Sequence, residues 1–240
     1  MSGFFIFLLP SQAVLRSIKM IYLILLLVAY CMGSICSAVL LSRIFYGIDI
    51  RNYGSRNPGA NNVQRVLGWK MGVAVFLFDA LKGIGAVGLV YFTPIPEGTE
   101  WFEGFSILLG LSAVLGHIFP VFFGFNGGKG VATIVGILTM LHPWTALICM
   151  LVFFLFCWWT RYISLSVLLA VTFYPVFINV LFEAILGHPE TLTIQLFSIV
   201  IALVLWLTHL SNLKRLIQGK EQKFSFKKPV EPLISYKNSR

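Results

Sequence analysis

The 240-residue chain is 58% hydrophobic, 15% aromatic and only 11% charged. That balance excludes a soluble globular domain of this length and points to an integral membrane protein. A net charge of +9 suggests nucleic acid as a partner, but the cations gather in one connection and one tail without a reader motif, so nucleic-acid binding is set aside.

Residues 1–19 fit the membrane pattern poorly. Phe4 to Leu9 are apolar but too few to span, and Arg16 and Lys19 would lie outside if the first full span runs inward. They form an N-terminal extension, with Met1 or Met20 as the start; no positive region precedes the apolar one, which argues against a signal peptide. A single membrane domain is expected over 20–210, followed by a basic tail over 211–240.

Apolar blocks run at about 20–45, 71–92, 105–125, 131–160, 162–187 and 192–210. The fourth is too long for one crossing and short for two, with His142-Pro143 near its middle as a turn signal. Counted once, it separates the basic tail (Lys214, Arg215, Lys220, Lys223, Lys227, Lys228, Lys237, Arg240) from the basic 43–70 connection. Split into 131–141 and 143–160, it puts both on the cytoplasmic side and leaves Glu97, Glu100 and Glu103 outside. The expected fold is therefore all-α: a polytopic membrane protein of seven transmembrane helices with glycine-rich cytoplasmic loops. Cys31, Cys36, Cys149 and Cys157 lie in apolar segments without metal-ligand spacing and read as small hydrophobes.

In that topology GSRNPGANNVQR (54–65), GFNGGKG (124–130), TRYISLS (160–166) and HLSNLKR (209–215) face the cytoplasm together. Glycines bring backbone N–H groups close to an anion, and Lys129 adds a mobile charge. The 124–130 stretch is no nucleotide P-loop, because Gly130 follows Lys129 where Ser or Thr is needed and Phe123 holds the upstream glycine position. Two readings stand: an oxyanion site, or a tight turn with a positive-inside lysine. In the first loop Ser55, Asn57 and Asn62 offer polar partners, Gly54 and Gly59 permit close fitting, and Arg65 presents a planar fork suited to phosphate. Its blander reading is a capped helix entry with surface arginines.

These stretches resemble the motifs of the bacterial acyl-phosphate-dependent glycerol-3-phosphate acyltransferases. The first reads Gly54-Ser55-Arg56-Asn57-Pro58-Gly59-Ala60-Asn61-Asn62 with Arg65. The second runs from Gly116-His117-Ile118-Phe119-Pro120 through Gly127-Gly128-Lys129-Gly130-Val131-Ala132-Thr133, and the third comprises His209, Asn212, Lys214, Arg215, Gly219 and Glu221. The likeness covers roughly Met20 to Lys223. Arg56 stands where glycine is usual, Asn61 where threonine is usual, and Cys36 where proline often follows Gly-Ser.

The resemblance implies transfer of a fatty acyl group from long-chain acyl phosphate to the 1-hydroxyl of glycerol 3-phosphate, at the cytoplasmic face of a bacterial inner membrane, with membrane lipid around the chain and no cofactor or metal. The catalytic candidates are Ser55, Arg65, Lys129, His209 and Asn212. Gly54, Asn57, Gly59, Asn62, Gly127, Gly128, Gly130, Thr133, Ser164 and Ser166 are the expected substrate contacts. Both substrates carry phosphate, so Lys129 and Arg65 are suited to hold them, and His209 to polarise or deprotonate the hydroxyl with Asn212 one turn away. Without the resemblance, His209 reads as an interfacial cap of the last span. A His-x4-Asp signature and a G-x-S-x-G nucleophile context are both absent from the sequence. Asp79 and Lys82 are expected to neutralise each other in the bundle, and Asn179 and Glu183 to serve helix packing. A transporter of small organic phosphates is the alternative, weakened by the lack of paired internal repeats.

Overall fold

The structure, a computed structural model, describes residues 12–182, 184, 187 and 190–225. Among them the chain is helical, without strands. Glu183, His188 and the tail beyond residue 225 lie outside the described residues.

The chain begins with α1 (Gln12–Ser34) and α2 (Ser37–Tyr46). Here the expected single 20–45 span is broken, with a 42° bend between the pair. The break has a partner: Lys82 Nζ donates to the freed carbonyls of Gly33 and Ile35, each at 3.0 Å. The short α3 (Ala60–Leu67) leads through Gly68 into α4 (Trp69–Gly88). Next come α5 (Glu100–Ile118), α6 (Val131–Leu141) and α7 (Pro143–Thr160). The break at His142 is thus present, with Pro143 at the first position of α7, where a missing N–H costs nothing. Then follow α8 (Ile163–Val176), continued by a π-helical turn over Phe177–Leu181, α9 (Leu192–Thr208) and α10 (Leu210–Ile217), with a 58° bend at His209.

Among the described residues four helices are long and apolar enough to cross a membrane, or up to six if each bent pair counts once; Val131–Leu141 is shorter. Many large apolar side chains face outward. On α7 only Thr145 and Ala146 are buried, while Leu151, Phe154, Leu155, Trp158 and Trp159 are exposed. Such a surface belongs in lipid, and the chain is a multi-pass membrane protein.

Hydrocarbon supplies no hydrophobic drive between helices, so close backbone approach at small residues has to hold them. A Cβ on Gly33 would strike the Ala113 backbone and one on Gly116 the Tyr30 carbonyl, joining α1 to α5. Gly83 and Gly136 sit likewise against the Thr133 and Ala80 carbonyls, joining α4 to α6. Between these contacts, Asp79 and Lys82 form a buried ion pair at 2.9 Å, and Ser37 Oγ donates to Asp79 at 2.7 Å.

The connections separate into two ends. Loops 47–59, 119–130 and 160–163 and the segment after α10 touch one another at one end, whereas Glu103 meets Thr191 and His142 lies 4.0 Å from Glu190 at the other.

Gly136→Ala should force α4 from α6 and lower the thermal midpoint in detergent, consistent with an overpacking cost of about 1–3 kcal/mol. Gly88→Ala meets nothing within 4 Å and should not. An unchanged midpoint for Gly136→Ala would show that the contact is dispensable.

Candidate active site

The first loop is organised by Asp49. Its carboxylate accepts from Arg51 Nη2 at 2.8 Å and Arg43 Nη2 at 2.6 Å, and the Arg51 hydrogen bonds hold it well below the usual carboxylate range. Arg51 Nη1 also donates to the Phe123 carbonyl at 2.8 Å, which ties the first loop to the glycine loop. Gly54 turns with φ +58, and a Cβ there would collide with the Asn62 amide oxygen. That oxygen accepts the Ser55 N–H at 2.8 Å, while Asn62 Nδ2 donates to the Ile50 and Tyr53 carbonyls at 3.3 and 3.0 Å. Both amide hydrogens are committed to the loop, so Asn62 positions Ser55. Arg56 adopts φ 62, a left-handed conformation that explains why the resembling motif favours glycine there.

The glycine loop differs from the sequence reading in one respect. The N–H groups of Gly127 and Gly128 do not point at an open site; they donate to the Ile118 and His117 carbonyls at 3.2 and 3.1 Å. The end of α5 leaves orphan carbonyls that need donors, and these two glycines supply them. Their missing side chains serve close packing, since a Cβ on Gly127 would strike the His117 carbonyl and one on Gly128 the His117 ring. Gly130, at φ +86, then starts α6 directly after Lys129 and places the positive end of that helix beside the lysine.

Lys129 donates to Asn212 Oδ1, and Asn212 Nδ2 donates to Glu221 Oε1 at 2.7 Å. Ser164 Oγ donates to the same oxygen at 2.9 Å, and Arg215 Nε to Glu221 Oε2 at 2.7 Å. Burial pushes the Glu221 carboxyl up, but hydrogen bonds from Arg215, Asn212 and Ser164 outweigh it and hold the group below its ordinary value. Around this carboxylate the chain after α10 folds back: the Phe224 N–H reaches the Arg161 carbonyl at 2.6 Å, and Gln64 Nε2 reaches the Ser225 carbonyl at 3.0 Å. The described residues after α10, which belong to the expected basic tail, thus form a strap across the site. Glu221 and Arg215 matched the third motif, but nothing in their spacing marked them as its hub.

His209, 4% exposed, sits at the α9–α10 bend. Its Nδ1 lies 2.8 Å from the Leu205 carbonyl, which can only accept, so Nδ1 carries the proton and Nε2 keeps a lone pair.

All four loops line one cavity of about 1350 Å³, larger than the roughly 300–1,000 Å³ of ordinary small-molecule sites. Its polar end includes Gly54, Ser55, Asn57, Gly59, Asn62, Arg65, Gly127, Gly128, Lys129, Gly130, Ser164, His209 and Asn212; its inner part is apolar, between α6, α7, α8 and α9. Thr133 and Ser166 are not on its wall. Thr133 Oγ1 lies 3.1 Å from His117 Nδ1 and Ser166 Oγ donates to the Tyr162 carbonyl at 2.8 Å, both fully buried, so the expectation of substrate contact is corrected for these two. Among the described residues neither Lys129 nor Arg65 forms an ion pair. Burial, reinforced by the charge of Arg215 and opposed by Glu221, lowers Lys129 to about 8. Burial also lowers Arg65 from its ordinary value. The site therefore presents under-neutralised cations above an apolar interior, an arrangement suited to an amphiphile with an anionic head. The described residues contain no cluster of His, Cys, Asp and Glu able to hold a metal ion.

The sequence profile of the glycerol-3-phosphate acyltransferase family matches residues 23–219. The glycerol-3-phosphate acyltransferase of Chlorobium phaeovibrioides is 37% identical over 229 residues, covering 86% of this chain and 97% of the relative. That of Fusobacterium nucleatum is 36% identical over 209 residues, covering 86% of this chain and all of the relative. Among solved structures, PlsY, an integral membrane glycerol 3-phosphate acyltransferase, superposes in its glycerol 3-phosphate form with a TM-score of 0.73 at 38% identity. That match covers 85% of this chain and 96% of the other. The lysophosphatidic acid form gives 0.71 at 37% identity with the same coverage.

Glu221→Gln removes the charge that Arg215 faces. Arg215 is 40% exposed, so after solvent screening the loss is about 1 kcal/mol. Trypsin should then cut at Lys220 and Lys223 several-fold faster than in the unaltered chain. Equal cleavage rates would mean that Glu221 does not hold the strap.

Proposed function

The chain belongs to the glycerol-3-phosphate acyltransferase family, and on that premise we propose that it moves a fatty acyl group from acyl phosphate to the 1-hydroxyl of glycerol 3-phosphate. The products are 1-acylglycerol 3-phosphate, a lysophosphatidic acid, and inorganic phosphate, and the reaction serves phospholipid biosynthesis. The observation that carries this reading is the single cavity in which Lys129 and Arg65 lie at the polar end of an apolar interior. A soluble phosphate ester and a long-chain acyl phosphate both fit such a site.

In this reaction the hydroxyl oxygen forms a bond to the acyl carbonyl carbon. The carbon–oxygen bond to phosphate breaks, and phosphate leaves with the electron pair. Acyl phosphate is a mixed anhydride, so positioning and charge neutralisation carry most of the burden. Lys129 and Arg65 neutralise the two phosphates. Asn212, fixed by Glu221, orients Lys129, and Ser55, Asn57 and the glycines of the first loop shape the rim. The free Nε2 of His209 is suited to accept the hydroxyl proton.

The same proposal includes seven crossings, with the membrane domain over 20–210 and the tail from 211 on the cytoplasmic side of a bacterial inner membrane. Support comes from α6, which starts at the glycine loop and ends at His142 beside Glu190, and from α7, which returns to Arg161 beside the strap. Eleven residues of α6 rise only about 16 Å, short of the roughly 30 Å of hydrocarbon. A helix this short is tolerated where neighbouring protein surrounds it, and Ile134, Ile137 and Leu138 are buried. Cysteine introduced at Gly98 should react with impermeant reagent on intact cells, whereas cysteine at Gly128 or Lys223 should react only after permeabilisation. Labelling of Lys223→Cys from outside would overturn the topology.

Purified protein should release phosphate from acyl phosphate only when glycerol 3-phosphate is present; a transporter of organic phosphates would not. Because Lys129 is lowered to about 8, it is charged below that pH and loses its proton as the pH rises through it. kcat/KM for glycerol 3-phosphate should therefore fall on an alkaline limb near pH 8. Lys129→Ala should cost roughly 30- to 1,000-fold, about 2–4 kcal/mol, and should abolish the limb. An alkaline limb that persists in Lys129→Ala would assign it to another group.

A further inference from the structure

The apolar part of the cavity has a defined inner end. From Ser164 to Tyr174 on α8 and from Thr208 back to Ile201 on α9, the lining descends ten and seven residues from the polar rim, roughly 15 and 10 Å. The innermost lining residue of α6 is Leu138 and that of α7 is Ala146, and both belong to one buried cluster with Tyr174 and Ile201. Leu138, Ala146, Tyr174 and Ile201 are 6%, 4%, 1% and 0% exposed, so the four helices close on one another there. Tyr174 is the bulkiest of the four, and its hydroxyl has no hydrogen-bond partner among the described residues. A buried hydroxyl without a partner contributes nothing to holding the helices together and calls for another explanation.

We infer that this apolar shaft receives the acyl chain and that the Tyr174 ring is its floor, which makes Tyr174 the residue that sets the length of chain used. This rests on the acyl transfer proposed above. The chain cannot push past the floor without parting buried helices, whereas each methylene it places in the shaft leaves water. Ala146, the smallest of the four, is the innermost lining residue of α7, belongs to the same buried cluster as Tyr174, and is the position at which added bulk would shorten the shaft. The ring blocks the path, and the hydroxyl adds no bond, so its removal leaves the floor in place.

The test uses the purified full chain with glycerol 3-phosphate and octanoyl, dodecanoyl or hexadecanoyl phosphate, counting 1-acylglycerol 3-phosphate formed. Ala146→Phe should lower kcat/KM for the hexadecanoyl donor about tenfold or more and leave the octanoyl donor within about twofold, the scale on which apolar pockets discriminate methylenes. Tyr174→Ala, which removes bulk and guards against misfolding of the first variant, should shift preference toward the longest donor. Tyr174→Phe should retain the original profile, and the KM for glycerol 3-phosphate should stay constant throughout. Equal changes at all three lengths, or an unaltered profile in folded Tyr174→Ala, would overturn the proposal and place the chain along the exposed side of α4, past Trp69 and Val73. Failure of the unaltered protein to form product from any donor would instead remove the acyl-transfer reading, and the length proposal with it.

Discussion

The buried pair Asp79–Lys82 is the interaction on which the site end of the bundle depends. A lysine in hydrocarbon is costly unless all its donors are used, and here they go to Asp79 and to two carbonyls freed where α1 breaks into α2. The carboxylate in turn takes the Ser37 hydroxyl and lies 3.7 Å from His117 Nδ1. His117 sits between Thr133 and Gly128, so the geometry of the glycine loop follows from a charge pair inside the membrane domain. Removing one partner would leave a buried charge unpaired, at a cost of about 3–5 kcal/mol. The site's flexible-looking loop is thus held by the part of the chain that tolerates change least.

That dependence alters what the glycines do. The run 124–130 invites a reading as an anion nest made of backbone N–H groups, but the N–H groups of Gly127 and Gly128 finish α5 instead. What the tight fit achieves is placement: Lys129 emerges at the start of α6, beside Asn212 and within the field of Arg215 and Glu221. Its burial and the neighbouring Arg215 both disfavour its charge. A cation held in this state has more to gain from binding an anion than one already paired with a carboxylate.

Much of the architecture was legible in the sequence because its signals are local. Pro143 marks the break between α6 and α7 directly, and the coincidence of glycines with Arg65 and Lys129 marks the loops that meet. The break at Ile35 was not legible, since its cause is Lys82, 47 residues away in sequence. Glu221 was legible as a member of the third motif, but its partners were not: only the fold shows it accepting from Ser164, Asn212 and Arg215. Thr133, taken from the second motif, and Ser166, taken as a hydroxyl at a helix start, were misassigned because neither signal fixes helical register: each is next to a cavity-lining residue but faces the protein. Asn62 lines the site, yet its amide is turned to the loop rather than to a ligand.

The remaining feature to account for is why the polar end needs a strap. Phosphates arrive from water, but a charged interaction weakens as water enters it, and the acyl carbonyl must meet the hydroxyl where hydrolysis is excluded. The segment after α10 meets both demands with few residues. Glu221 gathers donors from α8 and α10 into one cluster, and hydrogen bonds at Phe224 and Ser225 pin the segment to Arg161 and Gln64. Because the same carboxylate accepts from Asn212, and Asn212 accepts from Lys129, the covering segment and the lysine proposed to hold phosphate are fixed by one hydrogen-bonded cluster.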